Sequence, residues 1–441
     1  MTPAARVQAA IELLDGIIAA AREGGAAADT LISRYFQTRR YAGSKDRRAV
    51  RELVYRAIRR AGEVPASGRA AMLGLADEDD FTGLFGATEH GPAPIEEGEE
   101  RAAAAPVPAW LIPRFDPIVD AAELPALLER APLDLRVNRL KVGGANAPEG
   151  QGPDLDRHPG LDPGSNLLAT DVERRWMPDQ VRHDDYGAAL AQLPAQLLAH
   201  LPAEPTPHSP IGLRLPEGFR VEESEAWRAG LVEVQDEGSQ LLVLACAAAR
   251  GMTVVDLCAG AGGKTLGLAA EMANDGRIVA SDTDRGRLSR MRPRLERAGV
   301  SIVEPRLLDP GREREALANL RGAADTVLID APCSGSGTWR RNPETRWRLT
   351  PERLDRLVQL QSRLIDIGAE LVRPGGHLVY AVCSMLSEEG RDQAEGFASR
   401  SSFVSVEVPI AAGRSAGPGR LLTPASDGTD GFFVARWQAP C

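Results

Sequence analysis

The chain opens on an amphipathic pattern. Val7, Ile11, Leu14, Ile17, Ile18 and Ala21 recur at helical spacing, interrupted by Glu12, Asp15 and Arg22. Further on, Val50, Leu53, Val54, Ala57 and Ile58 fall at i, i+3, i+4, i+7 and i+8, with Ser44 placed to cap that helix. The opposite face carries Arg47, Arg48, Arg51, Arg59 and Arg60. Residues 1–125 therefore read as an all-helical domain with one strongly basic surface, closed by an acidic, Gly- and Pro-containing loop near Asp77–Arg101.

The period then shortens. Leu133–Lys141 alternates like a half-buried strand. From about 142 to 186 the pattern dissolves into Gly, Pro, Asp and Arg, which reads as a surface insertion. Helical and strand-like patterns resume at Ala188–Leu201 and Ile211–Leu215, so residues 126–235 read as a small α/β (RRM-like) module carrying that insertion.

From Leu231 onward strands and helices alternate, the rhythm of a doubly wound parallel sheet over residues 236–441. Strands are expected at Thr253–Leu257, Arg277–Ser281, Ser301–Leu308, Thr326–Asp330 and His377–Ala381. Helices fit between them at Lys264–Met272, Arg287–Ala298, Arg312–Leu320 and Pro351–Val372. Phe403–Val408 and Gly431–Trp437 supply closing strands.

Composition narrows the class. A chain of 441 residues is too long for one ordinary core. No apolar run reaches the ~18 residues of a membrane helix, and the amphipathic start does not read as a signal peptide. The five cysteines (Cys246, Cys258, Cys333, Cys383, Cys441) lack Cys-x-x-Cys spacing and the six histidines are scattered. No metal site and no disulfide framework are expected, and a reducing cytoplasm fits. The net charge of −10 opposes a nucleic-acid partner only until its distribution is read. Arg34–Arg60 holds ten Lys or Arg against two acids, whereas Asp77–Glu100 holds nine acids and no base.

In such sheets ligands bind beyond the carboxyl ends of the strands. The first strand ends in Asp256-Leu-Cys-Ala-Gly-Ala-Gly-Gly-Lys-Thr265, a glycine turn opening a helix. A P-loop would need Gly where Cys258 stands, and a dinucleotide fingerprint would need Gly where Thr265 stands. A purely structural turn stays open as an alternative. Asp256, Asp282, Asp309 and Asp330 close successive strands, which suits a nucleoside cofactor. A sulfonium-bearing adenosyl group fits that acidic rim better than a phosphate. Two cysteines share the rim: Cys333 in Asp330-Ala-Pro-Cys-Ser-Gly-Ser-Gly-Thr338 and Cys383 in Tyr380-Ala-Val-Cys-Ser384. Arg340, Arg341, Arg346 and Arg348, interleaved with Trp339 and Trp347, offer phosphate contacts and stacking faces beside Cys333. Packed tryptophans with surface arginines are the plainer alternative.

These motifs, with Gln235-Asp-Glu-Gly-Ser-Gln240 and Asp430-Gly-Phe-Phe433, resemble the RsmB/NOL1/NSUN family of RNA cytosine-C5 methyltransferases over about 231–437. Gly43-Ser-Lys-Asp-Arg-Arg48 with Leu53-Val-Tyr55 resembles the NusB-like RNA-binding domain of the RsmB, 16S rRNA branch. The resemblance implies a class I (Rossmann-like) α/β methyltransferase domain behind a NusB-like helical domain. It implies S-adenosyl-L-methionine as cofactor, held by Cys258, Ala259, Gly260, Ala261, Gly262, Gly263, Lys264, Asp282, Asp309 and Asp330. It assigns the nucleophile to Cys383, assistance in release to Cys333, and contacts around base and cofactor to Asp330 and Lys264. Arg340, Arg341, Arg346, Arg348, Arg47 and Arg48 are the expected RNA contacts. Two departures stand out: Val382, where the family usually has Thr, and Gly260-Ala261, where many members have Ala-Pro. Transfer RNA enzymes share the catalytic motifs, and a catalytically silent RNA-binding assembly factor is the rival of another class.

Overall fold

Four helices build the N-terminal part: α1 (Pro3–Glu23), α2 (Ala28–Thr38), α3 (Ser44–Arg60) and α4 (Gly68–Asp79). The structure, a computed structural model, describes residues 1–142 and 201–441. The expected insertion beyond Val142 and the helical pattern up to His200 lie outside the described residues.

Local chemistry accounts for the helix ends. Thr2 accepts the Ala5 N–H at the start of α1, Pro3 takes the first turn, and Gly24 leaves the helix with φ +78°. Ser67 caps α4 in the same way. Helix α3 begins at Ser44 itself, with Gly43 at the cap position and no side-chain cap. Its apolar stripe Val50, Val54, Ala57 and Ile58 is buried as the spacing requires. Part of its basic face meets the acidic stretch: Arg56 pairs with Asp79, and Arg60 with Glu78 at 2.8 Å. Opposite charges far apart in sequence thus neutralise one another inside one domain.

A small antiparallel sheet follows, with β1 (Leu133–Val137), β2 (Glu204–Pro205), β3 (Gly212–Leu215) and β4 (Val232–Val234) in the order β2-β3-β1-β4. The expected strand through Lys141 ends at Val137, and residues Arg139–Val142 turn into a short helix.

The C-terminal half is built on a nine-stranded sheet. Its strands are β5 (Thr253–Asp256), β6 (Arg277–Asp282), β7 (Val303–Leu307), β8 (Ala324–Asp330), β9 (Val372–Val382), β10 (Val404–Ser405), β11 (Arg414–Ala416), β12 (Gly419–Leu422) and β13 (Phe432–Gln438). The order β11-β12-β13-β9-β8-β5-β6-β7 is parallel from β9 to β7 and antiparallel from β9 to β11. This is a Rossmann-like fold with a mixed sheet. Helices α5 (Glu237–Ala245), α6 (Gly263–Glu271), α7 (Met291–Ala298), α8 (Pro351–Leu371) and α9 (Arg391–Arg400) accompany it. Val254, Val255, Ile278, Val279, Val327, Leu328, Leu378 and Val379 are fully covered, as a parallel sheet packed on both faces demands.

Four expected elements shift. Arg287–Ala298 splits into Arg285–Ser289 and α7, and Arg312–Leu320 shrinks to Glu313–Ala316 with a 3-10 turn. Phe403–Val408 keeps only the two residues of β10, while β9 begins five residues early, at Val372. Among the described residues no helix is long and apolar enough to cross a membrane.

Candidate active site

The parallel order puts β5, β8 and β9 side by side, so the loops after Asp256, Asp330 and Val382 open at one edge. In the loop after β5, Gly260 and Gly262 have φ of +58° and +83°, a region L-residues rarely adopt. A side chain at Gly260 would also run into the Arg287 guanidinium, and one at Gly262 into Met291. Gly262 is the cap position of α6, so the turn presents free N–H groups at a helix start. Asp282 braces this turn, accepting from Gly260 N at 2.8 Å and from Asp284 N at 2.8 Å. Asp309 is exposed beyond β7.

Asp256 departs from the rim expected of it. It is fully buried and accepts the Thr265 hydroxyl at 2.7 Å, tying β5 to α6 from behind. Burial raises its carboxyl to about 7, above the effect of the Thr265 hydrogen bond, and its second oxygen has no partner.

Lys264 and Asp330 do come together. The ammonium donates to Asp330 Oδ2 at 2.7 Å, with Lys264 almost covered and Asp330 half-buried. Burial works against the Lys264 charge, but Asp330 and then Cys383 outweigh it and hold the ammonium above its ordinary value. The glycine turn thereby delivers a fixed cation towards both the carboxylate of β8 and the sulfur after β9.

Cys333 and Cys383, each half-buried, meet with their sulfurs 3.3 Å apart. The hydrogen bond to Cys383, together with burial, pushes the Cys333 thiol well above its ordinary value. The two sulfurs are thus within reach of one shared proton. Val382 is buried in β9 opposite Phe433. Cys258 is also pushed far up by burial, so it lines the turn as a thiol.

The arginines expected to face RNA beside Cys333 do something else. Arg346 is completely buried, its lowered pKa of about 9 reflecting that burial, and it donates to Pro106 O at 3.1 Å, Arg59 O at 2.9 Å and Ala61 O at 3.0 Å. A guanidinium at the last carbonyls of α3 is the favourable end of that helix dipole. Glu344 accepts from Ala28 N at the start of α2, the complementary end, at 3.2 Å. Arg348 donates to Gly25 O and Ala26 O, and Trp347 inserts into the core of the helical domain. Arg340 is buried against the carbonyls of Gly428 and Thr429, and Arg341 bridges Asp236 and Asp430. Trp339 is fully covered. Of the alternating Arg and Trp that suggested a nucleic-acid strip, Arg346, Trp347 and Arg348 clasp the N-terminal helices, and Trp339, Arg340 and Arg341 are tied down beside the sheet. Arg47 and Arg48 remain exposed on α3.

Sequence reasoning also missed Glu389, which accepts hydrogen bonds from both cysteine loops. Its only signal in the sequence is Ser387-Glu-Glu389, just past the Tyr380–Ser384 motif.

Residues 243–438 match the family model described as 16S rRNA methyltransferase RsmB/F. These residues are an RsmB/F-family methyltransferase domain. The ribosomal RNA small subunit methyltransferase B of Salmonella paratyphi B is 34% identical over 232 residues, 53% of this chain and 52% of that protein. That of Salmonella typhi matches to the same extent. The chain thus spans about half the length of the curated relatives it matches. The solved structure of PH0851 covers 99% of both chains at a TM-score of 0.67 and 22% identity, a likeness of fold. A methyltransferase homologue from Pyrococcus horikoshii matches 74% of this chain and 92% of its own at 25% identity and a TM-score of 0.55. In the RsmB/F domain the turn, the Lys264–Asp330 pair and the two sulfurs occupy one end of the sheet.

Proposed function

We propose that this chain methylates carbon 5 of a cytosine in RNA, with 16S ribosomal RNA as the preferred substrate, through a covalent bond from Cys383 to C6 of the base. The single observation carrying this reading is the pair of sulfurs at 3.3 Å beside the Lys264–Asp330 ion pair.

S-adenosylmethionine, when bound, supplies the methyl group as an electrophilic sulfonium. The residues present fit it. The turn from Cys258 to Lys264 offers backbone donors, nothing but the tip of Arg294 comes within 4 Å of a side chain imagined at Gly263, and Asp282 and Asp309 supply acceptors for hydroxyls.

The protein's own groups then act in order. Cytosine C5 is a weak nucleophile, so the Cys383 thiolate adds to C6 and electron density moves to C5. Lys264 keeps a positive charge near that sulfur and near Asp330. Asp330 accepts from the exocyclic amino group of the base, a donor that uracil lacks, which favours cytosine over uracil. After C5 has gained its methyl group, its proton passes to solvent water, the electron pair left behind re-forms the C5–C6 double bond, and the C6–S bond breaks with its pair departing on the Cys383 sulfur. Cys333, placed as a proton donor to that sulfur, assists the departure. The base must leave its stack to enter such a site. Arg47 and Arg48 on the exposed face of α3 are the RNA contacts retained from the sequence reading.

The direct test supplies labelled methyl donor and unmodified 16S RNA to the purified chain and maps 5-methylcytosine by bisulfite sequencing. One protected cytosine appearing with time is expected. Label appearing on transfer RNA alone shifts the substrate, and no label on any RNA rejects the reading.

A further inference from the structure

We infer that Glu389 is a positioning residue that sets the separation of the two sulfurs by bracing both cysteine loops from behind. The inference rests on the reading of Cys333 and Cys383 as the reacting pair, and concerns a residue that never touches the base.

Glu389 is fully buried, and no Lys or Arg forms an ion pair with it among the described residues. A buried carboxylate without a cation is costly unless its lone pairs are satisfied by donors. Here they are. Oε1 accepts from Ser334 N at 2.8 Å and from Gln361 Nε2 at 2.9 Å. Oε2 accepts from the Ser384 hydroxyl at 2.6 Å and from that of Ser334. Ser334 directly follows Cys333 and Ser384 directly follows Cys383. One carboxylate thus grips the neighbour of each sulfur and fixes the backbone from which each sulfur projects.

The surroundings stiffen the grip. Gln361, on α8, also donates to Pro332 O at 2.9 Å, fixing the residue before Cys333. Ser336 and Ser384 share a hydrogen bond at 3.0 Å, Met385 N donates to Ser336 Oγ at 2.9 Å, and Gly337 N donates to Cys383 O at 3.1 Å. The Tyr380 hydroxyl donates to the Glu389 carbonyl, holding the backbone that carries the carboxylate. A group that only filled the core would have no reason to bond to residues flanking both sulfurs. A misplacement of about 1 Å in such a pair can cost on the order of a hundredfold in rate.

Glu389→Gln tests this, because an amide keeps the volume and one acceptor but its nitrogen cannot accept from the two serine hydroxyls. Methyl transfer should fall by about a hundredfold in kcat, with KM for RNA and donor affinity within about twofold. A second readout is independent of turnover: diamide oxidises the two thiols of the free enzyme to a disulfide, and that rate should fall at least about tenfold as the sulfurs lose their fixed approach. Ser334→Ala combined with Ser384→Ala keeps the carboxylate and removes its two hydroxyl links, and should slow both readouts in the same sense. Glu389→Gln with wild-type kcat and wild-type oxidation overturns the inference. So does a Glu389→Gln protein that fails to fold while the double serine variant behaves as wild type. Failure of the wild-type chain to methylate RNA would instead strike the proposed function, since the oxidation readout does not depend on it.

Discussion

Cys333 and Cys383 stand 50 residues apart in sequence, yet the parallel pairing of β8 and β9 brings their sulfurs to 3.3 Å. At that separation one proton can be shared between the sulfurs, which is the arrangement the proposed attack by Cys383 and assisted release by Cys333 require.

Gly337 is where that loop tolerates no side chain. A Cβ there would sit 2.0 Å from Gly431 O, and the surrounding atoms are backbone that cannot swing aside. Gly337→Ala should cost about 1–3 kcal/mol and disturb the bond from Gly337 N to Cys383 O. Thermal melting should show the loss, and methyl transfer should fall with it. Gly83→Ala, with open space around it, is the control expected to stay within about 0.5 kcal/mol.

The clasp and the exposed basic face should separate cleanly. Arg346→Met removes the side-chain donor from the carbonyls of Pro106, Ile58 and Arg59, while Ala61 O keeps Trp347 Nε1, and should lower stability by about 1–3 kcal/mol and expose the helical domain to protease. It should not change the salt dependence of RNA binding. Arg47→Ala with Arg48→Ala should do the reverse, reducing the slope of log affinity against log salt by about 0.7 per charge on single-stranded RNA, with a stability loss of no more than about 1 kcal/mol from the Arg47 bond to Ala42 O. A reduced slope in Arg346→Met would show that it reaches phosphate after all.

Asp256 links pH to stability. Burial raises its carboxyl to about 7 in the folded chain, so the folded state holds a proton that the unfolded chain releases near its ordinary value of about 4. Between those values stability falls as pH rises. Asp256→Asn should remove that share of the decline, so its melting temperature should change less than wild type between pH 5 and 8. Asp430, also raised to about 7 by burial and by Asp236, should leave a remaining decline. Parallel melting curves for both proteins would contradict the account.

The parts of the fold governed by local periodicity were legible from the residues. The strands β5, β6, β8 and β13, the helix α8 and the amphipathic α1 and α3 appear within a few residues of their pattern, because apolar spacing is what buries them. The short β11 and β12 were invisible, since three and four residues carry no period and pair only through β13. The cysteines, Lys264 and Asp330 were readable because strand ends predict a shared rim. The fate of the arginines was not. Whether Arg346 meets a phosphate or a helix terminus depends on which domain packs over it, and nothing in Arg-Asn-Pro-Glu-Thr-Arg-Trp-Arg states that. Asp256 misled for a related reason: the residue that ends β5 turns inward to Thr265 rather than outward to the rim.

The most direct test of the covalent mechanism compares two single substitutions incubated with RNA and methyl donor, then resolved on a denaturing gel. Cys333→Ala should accumulate a protein–RNA adduct that survives denaturation, because attack proceeds and release stalls. Cys383→Ala should give neither adduct nor methylated RNA. An adduct formed by Cys383→Ala, with Cys333→Ala fully active, would contradict the assignment of the two sulfurs.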